Sequence, residues 1–112
     1  MDMSAHVQTC FDCAKACEEC ATACIQMGDV DARGHDMTLC ITLTRDCADL
    51  STLCGRLTAR GSQFTQSFMR VCAEACEACA NECEKHADHM AHCKACAEAC
   101  RKCAEECRSM MN

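Results

Sequence analysis

Seventeen of the 112 residues are cysteine, against three Phe, four Gly and no Trp, Tyr or Pro. This excludes a loop-rich disulfide knot, which depends on turn residues missing here, and also a conventional greasy core, because Cys and Ala supply much of the 50% apolar count. The net charge of −6 argues against a nucleic-acid or anionic-membrane partner, since both require a basic face.

The N-terminal residues Met1 to His6 carry no basic segment followed by an apolar stretch, so no signal peptide is expected, and no run approaches the length of a membrane span. The expected compartment is the cytoplasm. Thiols stay reduced there, and an odd number of cysteines cannot pair completely within one chain, so metal binding is favoured over cross-linking.

Four glycine-poor stretches rich in Ala, Glu, Lys and Arg predict helices, separated by three breaks. Ser4 caps the first, over 5–27, which Gly28-Asp29 terminates. Asp36 caps the second, over 37–60, with Gly55 inside it at a cost of about 1 kcal/mol relative to Ala. Gly61 stops that helix and Ser62 starts the third, over 63–86. The fourth, over 89–109, begins around Asp88. Short connections favour antiparallel neighbours, so the predicted fold class is all-α, a single-domain up-down-up-down four-helix bundle covering 1–112. Cys72-Ala73-Glu74-Ala75-Cys76-Glu77-Ala78-Cys79 resembles both the run from Cys96 to Cys103 and the run from Cys13 to Cys20, so three helices share one template.

The cysteines follow the helical repeat. Cys10, Cys13, Cys17, Cys20 and Cys24 are separated by alternating steps of three and four, with Met3 and His6 extending the series backwards and Met27 forwards. Cys72, Cys76, Cys79 and Cys83 continue to His86, and Cys93, Cys96, Cys100, Cys103 and Cys107 repeat the pattern. Such spacing marks the stripe that faces a bundle axis. The second helix is thinner, with Cys40, Cys47 and Cys54 every seven residues and Leu43, Leu50 and Leu57 expected between them.

A core built for packing would use Leu, Ile and Phe, which bury more apolar area per position, so filling the seams with Cys gives up stability. Disulfides within a helix are disfavoured because neighbours at i,i+3 and i,i+4 point the same way. Metal ligation accounts for the pattern, with Cys10/Cys13, Cys17/Cys20, Cys76/Cys79, Cys93/Cys96 and Cys100/Cys103 as the minimal CxxC units. Thiolate and thioether ligands favour Cu(I), and a thiol-rich zinc sink is the alternative, distinguished by ligand softness and geometry. Iron–sulfur motifs usually wrap a cluster in a loop, unlike cysteines on unbroken helices. An enzyme would need a polar cleft, so no catalytic residues are assigned.

The two ends of the bundle differ. One gathers Met27, His35, Met37, His86, His89, Met90 and His92 and reads as a mouth. The other gathers Leu57, Phe64, Phe68 and Met69, with Met3, His6, Met110 and Met111 nearby, and reads as a plug. Ala14/Ala21 and Ala73/Ala80 form small faces that permit close packing.

The chain resembles the cytosolic branch of the bacterial copper storage proteins over essentially its whole length, most strongly from Val71 to Cys107 through Cys72-Ala-Glu-Ala-Cys76-Glu-Ala-Cys79, Glu82-Cys83-Glu-Lys-His86 and His92-Cys93-Lys-Ala-Cys96. The resemblance implies a four-helix bundle, assembled as a homotetramer, that stores many Cu(I) ions on core-facing cysteines and exchanges copper with a chaperone. It carries all seventeen cysteines over as ligands, and His86, His89, Met90 and His92 as the entry. The departure is in the second helix. Similar proteins tend to have Cys-Ala-Asp-Ile-Cys, where this chain reads Cys47-Ala48-Asp49-Leu50-Ser51.

Overall fold

The computed structural model describes residues 3–111. Its helices are α1 (Met3–Gln26), α2 (Thr38–Ala59), α3 (Thr65–Glu84) and α4 (Ala91–Met110). Each packs on its sequence neighbours, and α4 closes the ring against α1. Register shows the antiparallel sense: Cys13 Sγ meets Cys47 and Cys100, whereas Cys20, further along α1, meets Cys93, earlier on α4. The result is a tube with extents of 44 × 19 × 18 Å. No described helix is long and apolar enough to cross a membrane.

Glycine ends the first two helices for a conformational reason. Gly28 and Gly61 have φ of 82° and 63°, left-handed values at which a Cβ would be strained. The Gly28 N–H donates to the Ile25 carbonyl at 3.0 Å and the Asp29 N–H to the Cys24 carbonyl at 3.1 Å, the paired bonds of a Schellman close. Gly61 and Ser62 repeat it on Thr58 and Leu57. The helix starts differ from the sequence reading. Asp36 and Ser62 each lie two residues ahead of the N–H they accept, from Thr38 and Phe64, so α2 and α3 begin at Thr38 and Thr65. Asp88 does not cap α4: its carboxylate instead accepts from His89 and Arg33, and the helix starts at Ala91. Ser4 lies inside α1, whose cap position falls outside the described residues.

Alanine spaces the helices. Ala14, Ala21, Ala73 and Ala80 are buried within the bundle and let neighbouring backbones approach. Gly55 serves the same purpose between α2 and α1. A Cβ built there would lie 2.8 Å from Phe11 Cε1 and 3.1 Å from Cys10 Cβ, so the ring of Phe11 occupies the space a side chain would need. Gly55→Ala should therefore lower the thermal midpoint of the metal-free protein, although helix propensity alone would add about 1 kcal/mol. In a Phe11→Ala background the same change should raise it. Thermal circular dichroism of the four variants checks both signs.

Candidate metal centre

All seventeen cysteines are free thiols, and each is between 0 and 1% exposed. They form one continuous row. Near the middle, Cys13 Sγ lies 3.9 Å from both Cys47 and Cys76 and 3.8 Å from Cys100, and Cys47 lies 3.5 Å from Cys76. Towards one end Cys40 meets Cys83 at 3.7 Å, and towards the other Cys72 meets Cys103 at 3.9 Å. Within a helix the thiols in contact are i,i+4 pairs, Cys72–Cys76, Cys79–Cys83 and Cys96–Cys100. The ligand-capable groups include sets that draw on several helices. They join helices: Cys13, Cys17, Cys47 and Cys100 form one set, Cys17, Cys79, Cys96 and Cys100 a second, and Cys20, Cys24, Cys40 and Cys93 a third, with sulfurs within 4.8 Å of one another in each. Two of these sets share Cys17 and Cys100, so the row has no boundary between sites.

α2 contributes a different stripe from the one expected. Its buried seam is Cys40, Thr44, Cys47, Ser51, Cys54 and Thr58, while Leu43 and Leu50 are only half-buried on its flanks. Alternating steps of four and three from Cys40 require Thr44 and Ser51, and the leucines lie one position off that line. Thr44 turns its hydroxyl back to the Cys40 carbonyl at 2.8 Å. Ser51 faces the row: its Oγ donates to Cys13 Sγ at 3.5 Å and lies 3.7 Å from Cys47 and Cys72 and 3.8 Å from Cys76. A hydroxyl therefore occupies the place of a thiol in the middle of the tube.

Packing many ionisable groups in a dry space spreads their acidities. Hydrogen bonds from Cys13, Cys17, Cys47 and Cys76 drive Cys100 well above the ordinary thiol range, and Cys20 and Cys40 do the same to Cys83. Cys54 moves the other way, lowered to about 6 by hydrogen bonds from Cys10 and Cys107. At the α1 end burial lifts Cys24 to about 11, with the charge of Cys40 adding to the effect. Hydrogen bonds between neighbouring thiols thus push adjacent sites in opposite directions.

At the mouth the organising residue is Asp31, which sequence reasoning missed. Its carboxylate is buried in the α1–α2 loop, where Oδ1 accepts the backbone N–H groups of Arg33 and His35 at 2.8 Å each. Oδ2 pairs with His89 Nε2 at 2.7 Å, His86 Nδ1 at 2.8 Å and His35 Nδ1 at 3.1 Å. Three imidazoles from two loops thus converge on one oxygen. The available signal was an Asx pattern, Asp-x-x-Gly-His, in a turn between helices. His92 stands apart from this cluster, its Nε2 3.5 Å from Cys24 Sγ at the start of the thiol row. Met37 and Met90 are buried in the core, whereas Met27 is 40% exposed.

The opposite end is not an aromatic plug. Phe64 is 57% exposed and Phe68 half-buried, because the helix starts at Thr65 and leaves Phe64 outside the bundle. Met69 and Leu57 are buried there, and so is His6, at 0% exposure against Cys10 and Cys107.

A ladder of thiols across four helices, continuous from His92 to His6, matches known proteins. The pattern of the copper storage protein family covers residues 1–112. The chain belongs to that family. It is 44% identical over 106 residues to the uncharacterized cysteine-rich protein YhjQ of Bacillus subtilis (strain 168), covering 95% of this chain and 93% of that one. Among solved structures it is similar to the Cu(I)-bound copper storage protein BsCsp3 of Bacillus subtilis, with a TM-score of 0.86, 41% identity and 97% of each chain covered. A cytosolic copper storage protein from Streptomyces lividans carrying five coppers gives a TM-score of 0.84 and 35% identity, over 96% of this chain and 89% of that one. The bundle and its thiol-lined interior are therefore those of a copper storage protein.

The mouth cluster gives this fold a pH signature. Burial would raise the Asp31 carboxyl, but hydrogen bonds from His89, His86 and the His35 and Arg33 backbones outweigh it and hold it well below the ordinary 3.8. Burial would lower His86, but Asp31 and Glu82 raise it above 6.5; Asp31 and Asp88 raise His89. The carboxylate's contribution is present above 3.8 and is lost as pH falls through its depressed value. The imidazoles' contribution is present in full below 6.5 and is lost as pH rises through their raised values. The melting-temperature gap between wild type and Asp31→Asn should therefore be widest near about pH 6 and narrow as the pH rises. Thermal melts of the metal-free proteins across pH test this.

Proposed function

We propose that this chain acts as a single bundle domain that stores and buffers Cu(I) on all seventeen cysteines, Cys10 to Cys107, without catalysis. Copper enters at the end bearing Asp31, His86, His89, Met90 and His92, and passes first to Cys24. The observation that carries this reading is the uninterrupted thiol row with shared neighbours. Each arriving monovalent ion displaces a thiol proton to solvent, so the core gains metal without gaining net charge. Sharing of thiolates between low-coordinate ions lets capacity approach about one ion per cysteine. Zinc suits the row less well: a tetrahedral site with four thiolates would bury about two negative charges, and the row does not divide into separate quartets. The likeness to a cytosolic copper storage protein supports a cytoplasmic location, and the chain is taken to work as a homotetramer that exchanges copper with a chaperone.

Anaerobic titration of the reduced protein with Cu(I) against a competing chelator should saturate above about ten ions per chain. Saturation at about four or fewer, or equal capacity for Zn(II), overturns the storage reading. Ser51→Cys completes the central stripe and should add about one ion to that capacity without unfolding the bundle, since the side chains are nearly equal in shape.

A further inference from the structure

We propose that His6 is a metal ligand and that, with Cys10, Cys54 and Cys107, it forms a mixed imidazole–thiolate site for a Cu(I) ion at the end of the row opposite Asp31. The proposal rests on the storage reading above and adds a residue and a place to it. His6 continues the α1 seam one step beyond Cys10, so its ring projects into the same interior as the thiols. Its Nε2 lies 3.4 Å from Cys10 Sγ and 3.5 Å from Cys107 Sγ, and ligand atoms of His6, Cys10 and Cys54 all fall within 4.8 Å of one another.

The other ring nitrogen fixes the tautomer. Nδ1 lies 3.0 Å from Glu106 Oε1, and the second oxygen of that carboxylate accepts from Thr9 Oγ1 at 3.2 Å. A carboxylate accepts but does not donate, so Nδ1 carries the hydrogen and Nε2 is the nitrogen that faces the sulfurs and is available to a metal. A carboxylate that orients an imidazole in this way is the usual outer support of a histidine ligand, which makes Glu106 a positioning residue. The place suits a neutral donor. The terminal ion has thiolates on one side only, and imidazole completes its coordination in a site of 0% exposure without burying another negative charge. Copper stays Cu(I) throughout: its bonds to sulfur replace S–H bonds, and those protons leave to solvent.

The test is nitrogen-15 NMR of the imidazole in wild-type protein titrated anaerobically with Cu(I). Nε2 should move to the metal-bound range as loading completes, while Nδ1 stays protonated. An Nε2 resonance unchanged at saturation overturns the proposal and makes His6 a packing residue. The total count of ions tests storage separately, since the Nε2 shift reports this end at any capacity. Folded His6→Gln should hold about one ion fewer, and an unchanged count also overturns the assignment. Glu106→Ala should weaken the last ion bound by about 10- to 100-fold, whereas Glu106→Gln, which still accepts from Nδ1, should restore it.

Discussion

Thiols in a water-free interior are neutral until a cation accompanies them, and this coupling between proton, thiolate and metal organises the whole molecule. Seventeen thiolates together could not be held in so narrow a tube, because each would lose its hydration and repel its neighbours. Seventeen neutral thiols can be held, since a protonated cysteine packs as a small hydrophobe. On the storage function proposed above, the same residues serve as core when empty and as ligands when filled. Few other side chains permit this exchange: carboxylates would resist burial, and imidazoles alone would leave the positive charge of the ions uncompensated.

The frame that carries them follows from that requirement. Large apolar residues would fill the space the ions need, so bundle stability falls to Ala and Gly at the helix contacts, to glycine-terminated helices and to ion pairs on the outer face such as Arg108 with Glu77. Gly55 shows the trade directly: it weakens α2 locally so that α1 can bring Cys10 close to α2. Long straight helices then act as rails that keep neighbouring sulfurs 3.5–4.0 Å apart.

The two ends of the row use one device in different settings. Each sets a carboxylate against imidazole, Asp31 at the mouth and Glu106 at the opposite end. At the mouth His35, His86 and His89 turn towards the carboxylate, while His92 faces Cys24. At the opposite end His6 is fully buried and turns its free nitrogen towards sulfur, which suits retention.

Periodicity alone determined the helical bundle and the inward stripe of cysteines on α1, α3 and α4, because steps of three and four leave only one face for them. It also located the histidine-bearing turn. Tertiary structure decided the rest. Sequence spacing cannot show which thiols meet across helices, and only the packed bundle brings sulfurs of different helices to 3.5–4.0 Å. α2 was misread at Leu43 and Leu50, since a serine and a threonine on the true stripe give no hydrophobic signal. Asp31 was invisible for the opposite reason: an acidic residue in a loop is ordinarily solvated, and only a folded turn that buries it beneath three histidines makes it central.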